Sequence, residues 1–133
     1  MRLILPVPLS PNRWARNPWL RQRQKDDYRT SVWSAAIQQQ RPTLEPPARV
    51  VVAATFYLAR HLRDEDNLRG SLKDVLDALK QKQTGKMLWR HGVADLCGYF
   101  VDDDPTHMTL AAVDQIKVPT VREVKLVVTL EAA

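Results

Sequence analysis

The sequence predicts an α+β fold, a mixed sheet of about four strands that carries two main helices, in one small domain spanning residues 1–133. Residues 50–58 form an unbroken run of β-branched, aromatic and small apolar side chains, which is typical of a buried strand. Residues 68–79 instead place apolar side chains at helical spacing. The elements alternate as strand, helix, strand, helix, strand, strand, and this order favours helices packed on a mixed sheet.

In the first third of the chain, residues 2–7 alternate in the manner of a strand, and residues 10–12 have turn chemistry. A helix is predicted over residues 26–40, with Asp26 and Asp27 in its first turn, where carboxylates interact well with the helix dipole. Residues 41–49 contain three prolines and are predicted to form a connecting loop.

In the rest of the chain we predict a central strand over residues 48–58 and a helix over residues 67–82. The apolar face of that helix consists of Leu68, Leu72, Val75, Leu76 and Leu79. Residues 85–98 are expected to form a short hairpin or a loop that reaches DNA. Strands are predicted over residues 107–117 and 124–130, the second half-buried, antiparallel and turned back from the first across Pro119.

The charge balance points to an anionic partner. The chain carries 20 Lys and Arg residues against 15 Asp and Glu residues, a net charge of +5, so nucleic acid is the first candidate. It contains no apolar run of transmembrane length and no signal-peptide pattern. The single Cys97 excludes an internal disulfide, and we interpret it as a small buried apolar side chain. We therefore expect a cytoplasmic protein with no membrane partner.

Residues 13–25 are the most basic stretch, with two tryptophans and no acidic residue. Cationic side chains interleaved with aromatic ones suit phosphate contacts combined with base stacking. The alternative is that Trp14 and Trp19 anchor the core and the basic side chains form a solvated face. We predict DNA contacts from Arg13, Arg16, Arg21, Arg23 and Lys25.

Two acidic groups are candidates for a cation site. The first acidic group, Asp64 to Asp66, directly precedes the apolar face of the predicted helix, and the second acidic group is Asp102 to Asp104. Mg²⁺ commonly takes one or two protein carboxylates together with water and a substrate phosphate. Two alternatives remain open: Asp66 could instead cap the helix, and the acids could serve only solubility or a structural cation.

At these positions the chain resembles the RusA family of Holliday junction resolvases, which are small, dimeric, magnesium-dependent endonucleases often encoded by prophages. The resemblance covers nearly the whole chain. It rests on Leu5-Pro6-Val7-Pro8, Ser10-Pro11-Asn12-Arg13, Arg63-Asp64-x-Asp66-Asn67-Leu68, Asp77-Ala78-Leu79, and an aromatic residue followed closely by Asp102-Asp103.

The resemblance implies a catalytic metal site. It makes Asp64, Asp66 and Asp103 the ligands of Mg²⁺, for which Mn²⁺ can substitute. Asp102 is either a further ligand or a residue that supports one of the ligands. It favours Asp103 over Asp104 and leaves Glu65 solvated. Relatives tend to carry a lysine four residues after the second aspartate, where this chain has Gly70. The candidate replacements are Arg69 and Lys73, and we assign Lys73 to the catalytic set.

The expected function is resolution of Holliday junctions by paired, symmetric phosphodiester hydrolysis in DNA recombination and repair. Arg63, Arg69 and Lys86 are expected to contact DNA as well. A four-way junction offers two equivalent strands, so a C2 homodimer is expected. The alternative is a protein that binds DNA junctions but cleaves them weakly or not at all.

The same interpretation carries an expectation about stability. Without a metal ion, Asp64, Asp66, Asp102 and Asp103 should repel one another in a shared pocket. Neutralising one of them, as in Asp103→Asn, should then stabilise the metal-free protein by about 1 kcal/mol.

Overall fold

The computed structural model describes residues 2–38, 49–60, 62–80, 89–90, 93–94, 99–100 and 102–133. Lys86, Cys97 and most of the predicted loop at 41–49 lie outside the described residues. The elements, in chain order, are β1 (Arg2–Leu5), α1 (Pro11–Arg16), α2 (Pro18–Gln38), β2 (Val50–Leu58), α3 (Glu65–Ser71), α4 (Lys73–Leu79), β3 (Trp89–Arg90), β4 (Val93–Ala94), β5 (Met108–Lys117), a 3₁₀ turn (Val121–Glu123) and β6 (Lys125–Ala132).

Four of these strands form one mixed sheet in the order β1-β6-β2-β5, which confirms the predicted fold class. β6 is antiparallel to both β1 and β2, and β5 is parallel to β2. The predicted antiparallel last strand is therefore confirmed, but it pairs with β1 and β2 and not with the preceding β5. A parallel pair needs a long crossover, and the chain between β2 and β5 contains α3 and α4.

One face of the sheet carries the core. Along β2 alternate side chains are buried, and the helices pack on that side. Tyr28 and Val32 of α2, Leu68 of α3, Val75 of α4 and Leu72 between those two helices complete the core, each at most 3% exposed. The apolar face predicted for residues 68–79 is confirmed by this burial. In the described part of the chain, no helix is both long and apolar enough to span a membrane.

The helices before β2 begin earlier than predicted. Pro11 opens α1, where a turn was expected, and Pro18 opens the 21-residue α2. Proline suits the first position of a helix because the missing N–H has no partner there. The side chain of Asn17 accepts a hydrogen bond from Leu20 N at 3.3 Å and caps α2. Asp26 and Asp27 therefore lie inside α2, and the first-turn role predicted for them is wrong.

The single helix predicted from residue 67 begins at Glu65 and is broken at Leu72 into α3 and α4. The Ser71 hydroxyl donates to the Asn67 carbonyl at 2.6 Å, a back-bond that bends helices. Leu72 N then donates to Arg69 O, three residues earlier, at 3.2 Å. In an α-helix the acceptor would be the carbonyl four residues earlier. Within residues 85–98, β3 pairs with β4 in antiparallel fashion, which confirms a hairpin there.

Candidate functional site

The first acidic group lies where α3 begins. Asp64 is the helix cap, since its Oδ1 accepts a hydrogen bond from Asn67 N at 2.7 Å. Asp66 lies in the first turn and is exposed, so its interpretation as the cap is wrong. Glu65 is solvated as expected, with 77% of its side chain exposed, and it lies 3.6 Å from Arg69 on the next turn. Asp64 and Asp66 both lie at the surface end of α3.

Beside Asp64 the end of β2 opens into a cleft of about 720 Å³, which we call the arginine cleft. Arg13 of α1, Arg60 after β2, and Arg63 are three arginines in its lining, and Asp64 is its only acidic residue among the described residues. Its other lining residues are Val7, Leu9, Ser10, Leu58, Ala59, Leu62, Asn67, Val121 and Val124. Arg60 was not among the residues selected from the sequence.

Arg63 is fixed in the wall of this cleft. Its backbone N–H donates to Gln115 Oε1 at 2.8 Å, and Gln115 Nε2 donates back to Arg63 O at 2.7 Å. Its guanidinium donates to Ser71 Oγ at 3.0 Å and lies 5.8 Å from the centre of the Phe56 ring. Burial lowers the pKa of Arg63, the Tyr28 hydroxyl opposes that shift, and the charge of Arg13 adds to it. The structure thus gives Arg63 a positioning contact; its predicted DNA contact stays a prediction.

The second acidic group is held by a lysine that sequence reasoning missed. Lys80 Nζ lies 3.2 Å from Asp77 Oδ1, 3.8 Å from Asp102 Oδ1 and 3.6 Å from Asp103 Oδ1. We call these four residues the Lys80 cluster. A backbone bond from Tyr99 N to Leu79 O at 2.8 Å brings the returning chain beside the end of α4. The spacing of Asp77 and Lys80, three residues apart on a helix, was the available signal.

The charge state of Lys80 follows from these contacts. Burial by itself lowers the pKa of Lys80, but the hydrogen bond with Asp77 and the charges of Asp77, Asp103 and Asp102 together raise it above the ordinary value. The side chain is therefore cationic at neutral pH. The expected uncompensated repulsion among the aspartates is corrected here: a counter-ion already lies among Asp102 and Asp103, so neutralising Asp103 removes an attraction as well as a repulsion.

Asp104 has a different task from Asp103. Its Oδ1 accepts hydrogen bonds from Thr106 N at 2.9 Å and His107 N at 3.1 Å, and it lies 2.8 Å from His107 Nδ1. These bonds close the turn that leads into β5. The carboxylate of Asp104 is therefore occupied by local structure, and the choice of Asp103 over Asp104 as the functional aspartate stays a prediction.

Asp103 lines a second pocket, of about 300 Å³, together with four cationic side chains; we call it the lysine pocket. Lys25 and Lys73 were predicted from the sequence, and the structure places both beside Asp103 here. Lys80 and Arg29 were not predicted. The remaining lining residues are Asp74, Asp77 and Ala78.

Asp74 is a structural acid at the back of the lysine pocket. Its side chain is fully buried and accepts a hydrogen bond from Gln24 Nε2 at 3.0 Å, and Arg21 approaches it at 3.5 Å. The two contacts join α2 to α4. Arg21, predicted to contact DNA, thus has an intramolecular partner.

The remaining predicted DNA contacts are distributed over the surface. Arg16 and Arg23 are exposed, and Arg69 is paired with Glu65. Trp19 is 85% exposed, so the core alternative is wrong for Trp19, and base stacking by Trp19 stays a prediction. The Trp14 side chain lies outside what the structure describes.

The four predicted metal ligands are not gathered into one set. In the described ranges, no three Asp, Glu, His or Cys side chains are placed so that they could hold a metal ion together. Asp102 and Asp103 belong to the Lys80 cluster, whereas Asp64 lines the arginine cleft. Carboxylate oxygens remain the right donor type for Mg²⁺, which needs only one or two of them when water and a phosphate complete its shell.

No family model matches this chain, and no curated protein matches it.

Gly70 is explained by the approach of α1. A Cβ built on Gly70 would lie 3.0 Å from Cγ of Pro11, which is tighter than nearly all real contacts of this kind. A lysine at this position would begin with the same Cβ. The close packing of α1 on α3 therefore leaves little room for any side chain at Gly70.

A double-mutant cycle tests this contact. Gly70→Ala in a helix normally gains about 1 kcal/mol. Because the new Cβ would meet Pro11, we expect Gly70→Ala not to raise the free energy of unfolding in the wild-type background. In a Pro11→Ala background, the same substitution should raise it by that usual amount. Urea unfolding of the four proteins measures both steps. A full gain from Gly70→Ala in the wild type would contradict the contact.

Proposed function

We propose that this protein is a Mg²⁺-dependent endonuclease that cleaves four-way or branched DNA, as the resemblance to the RusA family implies. The observation that carries the proposal is the environment of Asp103. This carboxylate lines a pocket together with Lys25, Arg29, Lys73 and Lys80. A predicted metal ligand beside several cations is suited to a bound phosphodiester, because the cations neutralise the phosphate while the carboxylate holds the metal.

In this proposal the side chains divide the work. Asp103 and Asp102 hold one metal ion at the lysine pocket, and Asp64 and Asp66 offer carboxylates for a second ion at the start of α3, because the described residues do not gather three of these side chains into one site. Lys73, exposed on α4, and Lys25 of α2 bind the phosphate oxygens. Bound Mg²⁺ would polarise the scissile phosphate and lower the pKa of an attacking water, and Mn²⁺ would substitute for it.

A second candidate, a junction-binding protein with little or no cleavage, is favoured by one observation. The ammonium group of Lys80 lies within 4 Å of three carboxylates that include both metal ligands of the second acidic group. A tethered cation there competes with a metal ion for the same oxygens. Under this candidate, the basic surfaces bind DNA and the acids serve structure.

A labelled four-way junction incubated with the protein, with and without Mg²⁺, separates the two candidates. The endonuclease should give paired, symmetric nicks with 5′-phosphate and 3′-hydroxyl ends only when Mg²⁺ is present. Binding that persists in saturating Mg²⁺ without any nick would select the binding protein. No binding at physiological salt would contradict both.

The proposed endonuclease acts as a C2 homodimer, because two identical sites match the two equivalent strands of a junction. The mass in solution at micromolar concentration and the pairing of the nicks test this together. A monomeric mass with single, unpaired nicks would overturn it.

A further inference from the structure

The arginine cleft has an excess of positive charge that the described protein does not neutralise. Arg13 and Arg60 are exposed, and neither forms an ion pair with a described residue. Arg63 has a hydroxyl and an aromatic ring as its partners. Asp64 is the lone described carboxylate in the lining and is committed to the Asn67 N–H. Two exposed arginines without an ion pair and a third arginine in the same lining favour an anion, because one guanidinium group can bind two phosphate oxygens at once.

Most of the other lining residues are apolar, and some of them are open to solvent. Leu62 is 55% exposed and Val121 is 65% exposed, and they lie in the same lining as Leu58 and Val124. Large aliphatic side chains at the mouth of a charged cleft provide surface for the flat face of a base or for a sugar. The cleft volume, about 720 Å³, lies within the usual range for a small-molecule site.

We propose that the arginine cleft binds one unpaired nucleotide of a DNA strand, with its phosphate on the guanidinium groups of Arg13 and Arg60 and its base and sugar against Leu62 and Val121. A base that lies against the cleft lining cannot stay stacked between its neighbours in a duplex, so the nucleotide must leave the stack. Unstacking costs least where pairing is already interrupted, as at a branch point. The inference rests on the proposed function, since it takes branched DNA as the ligand.

Arg63 acts in this site as a positioning residue. Its hydrogen bonds with Gln115 of β5 and Ser71 of α3 fix the segment between β2 and α3, to which both Arg60 and Asp64 belong. The nucleotide would thus lie next to the first acidic group. An unpaired nucleotide bound there would orient the adjoining phosphodiester with respect to Asp64 and Asp66.

The test uses a four-way junction with 2-aminopurine at the branch point, a base whose fluorescence rises when it leaves the stack. The full-length protein is titrated in EDTA, so binding is measured without cleavage. We expect a saturable rise in fluorescence. Arg60→Gln should raise the Kd about tenfold and reduce the salt slope by about one. Arg122→Gln is the matched control, because Arg122 is exposed on the neighbouring 3₁₀ turn but does not line the cleft; it should change the Kd less than about twofold.

A competition experiment distinguishes binding of a whole nucleotide from binding of its phosphate alone. A deoxyribonucleoside monophosphate should reverse the fluorescence rise at lower concentration than inorganic phosphate does. Leu62→Ser should weaken the mononucleotide and leave the competition by inorganic phosphate unchanged. Equal competition by the two, no rise at saturation, or equal effects of Arg60→Gln and Arg122→Gln would overturn the inference. A rise in fluorescence without any cleavage in Mg²⁺ would support the nucleotide site and overturn the proposed endonuclease. Cleavage without a rise in fluorescence would support the endonuclease and overturn the nucleotide site.

Discussion

Asp66→Asn is expected to abolish junction cleavage and to leave junction binding unchanged. Asp66 is exposed in the first turn of α3 and has no hydrogen bond or ion pair with any described residue. The amide keeps the size of the side chain but removes the charge that would hold Mg²⁺. Loss of a metal-binding carboxylate removes several kcal/mol of transition-state stabilisation, so the cleavage rate should fall by at least about a hundredfold. Single-turnover cleavage and gel-shift titration of the same junction measure the two quantities.

Glu65→Gln provides the control for Asp66→Asn. It removes the same charge from the neighbouring position, where the side chain faces solvent and contacts only Arg69 among the described residues. Its cleavage rate should stay within about twofold of the wild type, since an exposed pair of this kind contributes little. Equal loss of activity in both variants would mean that cleavage depends on the local negative charge and not on metal binding by the Asp66 carboxylate. Near-normal cleavage by Asp66→Asn would remove Asp66 from the site.

Lys80→Met is expected to lower the stability of the metal-free protein by about 2 kcal/mol, which corresponds to a fall in the melting temperature of roughly 8 °C. Methionine keeps most of the aliphatic side chain but leaves Asp77, Asp102 and Asp103 without the cation that lies among them. The value is below that of a fully buried pair because all three carboxylates are partly exposed and are screened by solvent. Thermal melts in EDTA measure it.

The response of this variant to Mg²⁺ tests the role of the carboxylates. If Asp102 and Asp103 are ligands, removing the tethered cation should make Mg²⁺ stabilise Lys80→Met more than it stabilises the wild type. Lys73→Met is the matched control. Lys73 lines the same pocket but is exposed and has no ion pair with a described residue, so its metal-free melting temperature should stay close to the wild-type value. A Lys80→Met protein as stable as wild type would show that the cluster contributes nothing to the fold.

The pH range of the Lys80 contribution follows from the direction of its shift. The pKa of Lys80 is raised in the folded protein, so its stabilising contribution is complete below the ordinary lysine value and is lost as the pH rises through the higher, folded value. At neutral pH the full effect of Lys80→Met is therefore expected.

The sequence by itself determined the fold class and most of the elements. The alternation of buried and half-buried side chains along β2 follows from the two-residue period of a strand, and the buried face of α3 and α4 follows from the helical period. Both are local properties that the order of residues specifies directly. Helix starts were less accurate, because α1 begins at Pro11, which was interpreted as a turn residue, and α2 begins at Pro18, where no helix was predicted.

Only the tertiary structure decided which chemical groups meet. Strand neighbours depend on long-range pairing, so nothing local placed β6 between β1 and β2. Lys80 looks like an ordinary helix-end lysine until Phe100, Asp102 and Asp103 lie beside it. Arg60 and Arg13 line one cleft because α1 packs on α3, the helix that follows β2. Contacts between residues far apart in the chain are set by how buried faces pack, and the charges carried on those faces are brought together as a consequence.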